Sequence, residues 1–324
     1  MTRSRPVSLA HPKRTTRRRV FASALQIAIG AIAAPAFSVG CATTRGPAPQ
    51  RLVTLREGPL ELRVEVPALR AKLVDEVTRA LPAIAARLGR HDLVPRARVL
   101  LRFHSGVDGF VQATGQHASH LRAWAGYDTV DLLPPDTWRV QTRSALVERV
   151  THELCHTAIY QRLGDERRAR ALVPPFFFDE GTCSVTALQG ARRMPVDGAV
   201  AHLGDVNPFR DRGLAAANPA VAYAASHHAM AEVARIAGPL AFAHVIDRVR
   251  DAADGSREDV HGPDRNALHD RWRGAIEGVT GADVDAIWAR AIRSVGAPPD
   301  VSAGDLRENP QSSSTRRIAV VNDE

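Results

Sequence analysis

The stretch Thr151-His152-Glu153-Leu154-Cys155-His156 constrains this chain more than any other. Two histidines four positions apart share a face only if the segment is helical, because a helix completes a turn in about 3.6 residues. In that conformation both imidazoles reach one zinc ion, and Glu153 points at a water beside it. In a chain with 13 histidines such a spacing arises by chance on the order of a few times in a hundred. The surroundings therefore have to carry the rest.

Those surroundings read as a helix from Arg143 to Leu163. Leu146, Val147, Val150, Leu154, Ala158 and Ile159 form an apolar stripe, and Gly164 supplies the stop. A catalytic zinc takes three protein ligands and keeps a fourth position open for water. The third ligand is expected from the chain after the motif helix. Glu180, 24 positions past His156, is the best-placed carboxylate. It follows the Pro174-Pro175 break and the run Phe176-Phe177-Phe178, stands at the start of a new helix and precedes Gly181.

Ahead of the motif, Arg51 to Val66 reads as a strand, with Leu60, Leu62, Val64 and Val66 at period two. Pro67 to Gly89 reads as a helix carrying Leu69, Leu73, Val77, Leu81, Ile84 and Leu88, with Pro82 as a kink point. Ala97 to Phe103 is a second strand, Asp108 to Gly115 a loop or edge strand, and Trp124 to Leu133 a further strand stopped by Pro134-Pro135. From Asn218 onward helices are expected over 220–236, 239–250, 266–279 and 282–294. The layout is α+β, with strands first, the motif helix in the middle and a helical C-terminal half. The site belongs in the cleft between the halves.

The formal charge of +8 and pI near 10.3 would fit a nucleic-acid binder. The distribution argues otherwise. Residues 1–40 hold Arg3, Arg5, Lys13, Arg14, Arg17, Arg18 and Arg19 and no acid, so 8 − 7 leaves +1 for residues 41–324. No basic stripe with interleaved aromatics remains, and nucleic acid is not an expected partner.

The same N-terminal segment has the three-part build of an export signal, with a basic lead to Arg19, an apolar run from Val20 to Pro35 and a small-residue stretch ending at Cys41. Interrupted by Gln26, the apolar run is too short and polar for a membrane span. Arg18-Arg19-Val20-Phe21 resembles a twin-arginine signal. Ser38-Val39-Gly40-Cys41 resembles a bacterial lipobox, in which Cys41 becomes the lipidated N-terminus, although Ser38 replaces the usual aliphatic residue. Cleavage after Ala34-Pro35-Ala36 is the competing reading. The expected organisation is a signal at 1–40, a tether at 41–50, one domain at 51–295 and a disordered tail at 296–324. The domain is placed outside the cytoplasm, anchored to the membrane by lipid. Cys155 and Cys183 remain, either as a disulfide in an oxidising compartment or as two small buried hydrophobes.

His152-Glu153-x-x-His156 followed by Phe178-Asp179-Glu180-Gly181 resembles the gluzincin metallopeptidases, and more narrowly the peptidase-MA-like family of extracytoplasmic proteins. The resemblance covers roughly residues 60 to 250. It implies a zincin-like fold, a small mixed sheet with an active-site helix and a helical C-terminal half. It also implies a Zn2+ cofactor held by His152, His156 and Glu180, and a peptide or protein substrate. Glu153 then acts as general base on the zinc-activated water.

Two further elements are similar to the family's. Gly126-Tyr127 through Pro134 resembles an edge strand that pairs with extended substrate, and Tyr223-Ala224-Ala225-Ser226 through Gly238 resembles a downstream helix. Tyr223 is the candidate donor to the oxyanion, with His227 or His228 as alternates. Cys155, Asp179 and Thr182-Cys183 depart from the family pattern without removing a ligand. The element by which the clan's aminopeptidases recognise a free amine has no counterpart here, which favours an endopeptidase or a specialised peptidase. The alternative function is a zinc-binding or scaffold lipoprotein that keeps the fold without turnover.

Overall fold

The computed structural model describes residues 50–116, 121–138, 142–190, 203–254 and 264–295, and the backbone of Val321–Asn322. The expected signal, the lipobox with Cys41 and most of the C-terminal tail lie outside those residues.

The first expected strand is a hairpin. β1 (Gln50–Glu57) and β2 (Leu60–Pro67) pair antiparallel, with Glu57 opposite Leu60 and Val53 opposite Val64. Gly58 turns the chain at φ +56, a conformation that favours glycine, and Pro59 has no N–H for a ladder. Val53, Leu55, Leu62 and Val64 are all fully buried, so both arms alternate toward one core.

α1 (Lys72–Arg90) follows a single tight turn at Ala68–Arg70. Leu69 falls in that turn and is fully exposed rather than part of the apolar stripe. Pro82 is accommodated inside the helix. β3 (Val99–Phe103) runs parallel to β2. The segment read as loop or edge strand is a helix, α2 (Val107–Thr114), entered after Gly106 and stopped by Gly115 at φ +68.

Trp124 to Leu133 is not one strand. β4 (Ala123–Ala125) turns through Gly126-Tyr127-Asp128 into β5 (Thr129–Leu132), and the two pair antiparallel. The five strands lie in the order β4-β5-β3-β2-β1, with β2, β3 and β5 parallel, and Val321–Asn322 (β6) adds two residues beside β1. The segment after Gly126-Tyr127 is therefore second from the edge, and the edge strand on that side is β4.

The remaining helices are α3 (Arg143–Leu163), α4 (Glu166–Ala171), α5 (Phe176–Thr186), α6 (Leu214–Ala217), α7 (Pro219–Ala237), α8 (Ala241–Asp254), α9 (Arg265–Thr280) and α10 (Val284–Val295). Their starts follow from local chemistry. The side chains of Thr142, Asp165, Asn218 and Asp264 each accept a backbone N–H of the first turn. Pro219 supplies the pre-set φ at the head of α7. The architecture is mixed α/β and mostly helical. α3 runs through its middle, packed against α1, α5, α8 and the β4–β5 end of the sheet.

A candidate metal centre between two helices

α3 and α5 carry the site, and short-range packing fixes how α5 sits on α7. Gly181 faces α7 so closely that a Cβ there would lie 2.3 Å from the Ser226 carbonyl oxygen and 2.6 Å from Met230 Cγ. A side chain of any size would push the helices apart. The contact also sets the register of α5 on α7. Glu180 meets Tyr223, whose hydroxyl donates to Oε1 at 3.3 Å, and one turn further on Ser184 Oγ lies 3.0 Å from His227 Nδ1. Both pairings advance by four residues, so the helices run in the same direction.

α3 is fixed from the other side. Thr157 Oγ1 donates to the Gly126 carbonyl at 3.0 Å, and Gln161 Nε2 donates to the Tyr127 carbonyl at 2.9 Å. Gln161 Oε1 accepts the Ala97 N–H at 2.8 Å, and the Tyr127 hydroxyl donates to the Gly164 carbonyl at 2.7 Å. The motif helix is thus hydrogen-bonded to the β4–β5 turn.

Between these supports, His152, His156 and Glu180 converge. The Nε2 atoms of the two histidines are 3.2 Å apart, His152 Nε2 is 3.1 Å from Glu180 Oε2, and His156 Nε2 is 3.9 Å from Glu180 Oε1. A tetrahedral zinc with bonds near 2.0–2.1 Å needs donor atoms about 3.3 Å apart, so the three separations bracket the requirement. Both imidazoles are buried and the carboxylate is half-buried. A set of two imidazoles and a carboxylate, with room for a fourth ligand, suits catalytic zinc chemistry.

Asp179 decides which histidine nitrogen faces the ion. His156 Nδ1 lies 2.7 Å from Asp179 Oδ1 and donates to it, so that a bound ion would take the place of the Nε2 proton between the three donors. The Tyr160 hydroxyl donates to Asp179 Oδ2 at 3.0 Å, and its ring stacks on His156 at a centroid distance of 6.4 Å. Burial, and after it the Asp179 charge, push the Tyr160 pKa far above its usual value, so it stays a donor. Burial alone would depress the His156 imidazolium. The Asp179 carboxylate, through charge and hydrogen bond, and the charges of Glu180 and Glu153 outweigh that, and its pKa lies well above the ordinary histidine value. The pocket is an anionic one that favours a cation.

Glu153 is nearly buried, at 9% exposure, one position after His152 and close enough for its charge to act on His156. His152 Nδ1 is buried without a hydrogen-bond partner among the described residues. Tyr223 reaches the trio through Glu180, and its ring meets Phe176 edge-on at 5.0 Å. His227 is held one turn away by Ser184, and burial depresses the pKa of His228. Of the three candidate oxyanion donors, Tyr223 is the one that touches a candidate ligand.

Cys155 and Cys183 are both free thiols, fully buried and hydrogen-bonded to one another between α3 and α5. The disulfide reading is thus replaced by the alternative, two small buried groups. Burial, with the neighbouring Cys155 and acids, pushes the Cys183 thiol well up, so it stays protonated. Phe177 and Phe178 are core residues, Phe178 lying 4.5 Å from the Trp272 ring. Two site residues escaped the reading of the sequence. Asp179 stood there only as a departure from a family pattern, and Tyr160 not at all. The available signal was spacing, since Tyr160 lies one helical turn past His156 and Asp179 adjoins Glu180.

No protein-family model matches the sequence, and no curated protein does. Among solved structures, an M1 zinc metallopeptidase from Deinococcus radiodurans, in a mutant form bound to a Tyr-Ser-Ala substrate, is similar at 16% identity with a TM-score of 0.42. That match covers 78% of this chain and 54% of the other. The unmutated form from the same organism matches at 16% identity and a TM-score of 0.40, with the same coverage. A two-domain M1 zinc metallopeptidase mutant bound to L-arginine matches at 15% and 0.40, covering 76% and 52%. The chain spans about half the length of these structures. A likeness at this level fixes neither an activity nor the role of any residue.

Proposed function

We propose that this protein is a zinc-dependent peptidase that works outside the cytoplasm, exported by its N-terminal segment and anchored by a lipid on Cys41. The observation that carries the reading is the convergence of His152 Nε2, His156 Nε2 and the Glu180 carboxylate, 3.1 to 3.9 Å apart, with an acid beside them. Those three residues would hold the ion. Zinc, when bound, supplies a Lewis acid that brings a water's pKa toward neutrality and polarises a carbonyl.

The chain's own residues do the rest. Glu153 accepts the proton of the attacking water on its carboxylate and passes it to the leaving amine. Its near-burial strengthens that role, because charge interactions weaken less where water is excluded. Tyr223 donates a hydrogen bond to the oxygen that gains charge, in place of the 3.3 Å bond it makes to the Glu180 carboxylate, and keeps its proton. Asp179 retains the His156 Nδ1 proton throughout, and Tyr160 keeps Asp179 in place. β4, as the edge strand beside α3, offers backbone groups to an extended peptide.

Replacing Glu153 by Gln separates chemistry from metal binding. Elemental analysis should return one zinc per chain for both proteins, while hydrolysis of a quenched peptide pool falls by about 10²–10⁴-fold. Equal rates before and after the change would overturn the peptidase reading. For the anchor, Cys41→Ser should move the protein from the membrane fraction to the soluble fraction of cells. Retention in the membrane would remove lipidation from the proposal.

A further inference from the structure

A cavity of about 750 Å³ lies behind Phe176. That is within the range of small-ligand sites, and its walls have the composition of one, apolar with a few polar groups. Phe176, Phe177, Leu214 and Leu268 supply apolar surface. Two side chains, Phe176 and Tyr223, separate the cavity from Glu180, the Phe176 ring resting on Tyr223, which in turn touches Glu180.

The polar groups are unequal. Arg170 and Arg212 are on the wall but already paired, Arg170 with Glu166 and Arg212 with Asp270 at 3.1 Å and with Asn266. Asp211 is the single acid on the wall among the described residues, and its carboxylate accepts the Gly213 N–H at 3.2 Å. Arg265 has no ion pair or hydrogen bond among the described residues, so its charge is the unmatched one. His269 also lines the cavity, 8% exposed and set edge-on against Phe177 at 5.4 Å. Its Nδ1 is buried with no hydrogen-bond partner among the described residues, and an Asp270 carboxylate oxygen lies 3.9 Å away.

We infer that this cavity is a recognition subsite for a peptide carboxylate carried beside an apolar side chain. The apolar side chain lies over Phe176 and Phe177, and the carboxylate meets Arg265 at the rim. The inference rests on the peptidase reading for the identity of the ligand, and it gives that peptidase a preference for anionic substrates. Charge and apolar area are read together, so neither an acidic hydrophilic peptide nor a neutral apolar one satisfies both walls.

The test uses the full-length Glu153→Gln protein loaded with zinc, and three fluorescein-labelled octapeptides with one shared apolar sequence. One has an internal glutamate and an amidated C-terminus, one has glutamine there and a free C-terminal carboxylate, and one has glutamine and an amide. Fluorescence anisotropy should show one of the two anionic peptides binding about five- to tenfold tighter than the neutral one, as expected of a partly desolvated Arg–carboxylate contact. Which one it is identifies the carboxylate as side chain or terminus. Arg265→Gln, an exposed position that leaves the core intact, should bring that peptide to the neutral peptide's affinity. Equal binding of all three, or a preference that survives Arg265→Gln, overturns the inference. If the preference holds and the zinc-loaded unmutated protein cleaves none of the peptides, the subsite stands and the peptidase reading falls.

Discussion

α1 and α3 are neighbours of similar length and opposite design. α1 buries one stripe, Leu73, Val74, Val77, Ala80, Leu81, Ile84 and Leu88, and turns its charged residues outward. α3 buries residues on every side, 16 of its 21, including Thr151, His152, Glu153, His156, Thr157 and Gln161. An amphipathic helix is held mainly by the apolar stripe it buries. A helix buried all round with polar residues on one face needs a partner for each of them, since an unpaired buried polar group costs about 1–3 kcal/mol. Thr157, Gln161, His156 and His152 Nε2 find theirs on the β4–β5 turn and α5, while the Thr151 hydroxyl and His152 Nδ1 have none among the described residues. The lesson is that α1 holds the fold together while α3 holds the site together, and that substitutions should separate the two.

The largest effect on stability is expected in α1. Leu81 is fully buried within its stripe, and Leu81→Ala should cost about 2–5 kcal/mol, read from the denaturant midpoint. Zinc affinity measured by chelator competition should stay unchanged. A parallel loss of zinc affinity would mean that the two helices are not separable.

A smaller effect of the opposite kind is expected in the contacts of α3 with α5. Asp179→Ala removes the acceptor that orients His156 and should weaken zinc binding about 10–100-fold. Its effect on the denaturant midpoint of the metal-free protein should be slight. If Asp179→Ala instead destabilises the metal-free protein as Leu81→Ala does, the carboxylate is a structural residue rather than one that orients a ligand.

The same contrast explains what could be read in the sequence. The four helices from Pro219 onward were legible from recurring apolar faces, whereas α3, buried all round, was legible from its motif and its Gly164 stop. The β1–β2 hairpin was read as one strand because the alternation on both arms hid the turn at Gly58. α2 was missed because eight residues flanked by glycines give too few turns for a period to show. In the site, the two histidines and Glu153 come from one local motif. The Asp179 contact to His156 spans 23 positions and the Gly181 approach to Ser226 spans two helices. Local spacing sets Asp179 beside Glu180 but does not say that it reaches His156. Both contacts follow from how closely α5 can approach α3 and α7, which is a property of the packed core.

The smallest expected effect concerns the C-terminal end of α3. Arg162, at 11% side-chain exposure, donates to Asp247 Oδ2 on α8 at 2.7 Å and to Asp92 at 2.8 Å. Burial alone would raise the Asp247 pKa, but the Arg162 hydrogen bond and the charges of Arg162 and Arg250 outweigh it and hold it below the ordinary 3.8. A carboxylate depressed in the folded state stabilises fully above its unfolded pKa, and that stability is lost as pH falls through the folded value. Asp247→Asn should therefore cost about 1 kcal/mol at neutral pH, as a partly exposed charge pair does. Because the contribution needs an ionised Asp247, the gap between variant and parent should close as pH falls below 3.8 toward the folded value. A gap of constant size across that range would show that Asp247 acts through packing rather than charge. α3 would then be tied down at this end in the same way as α1.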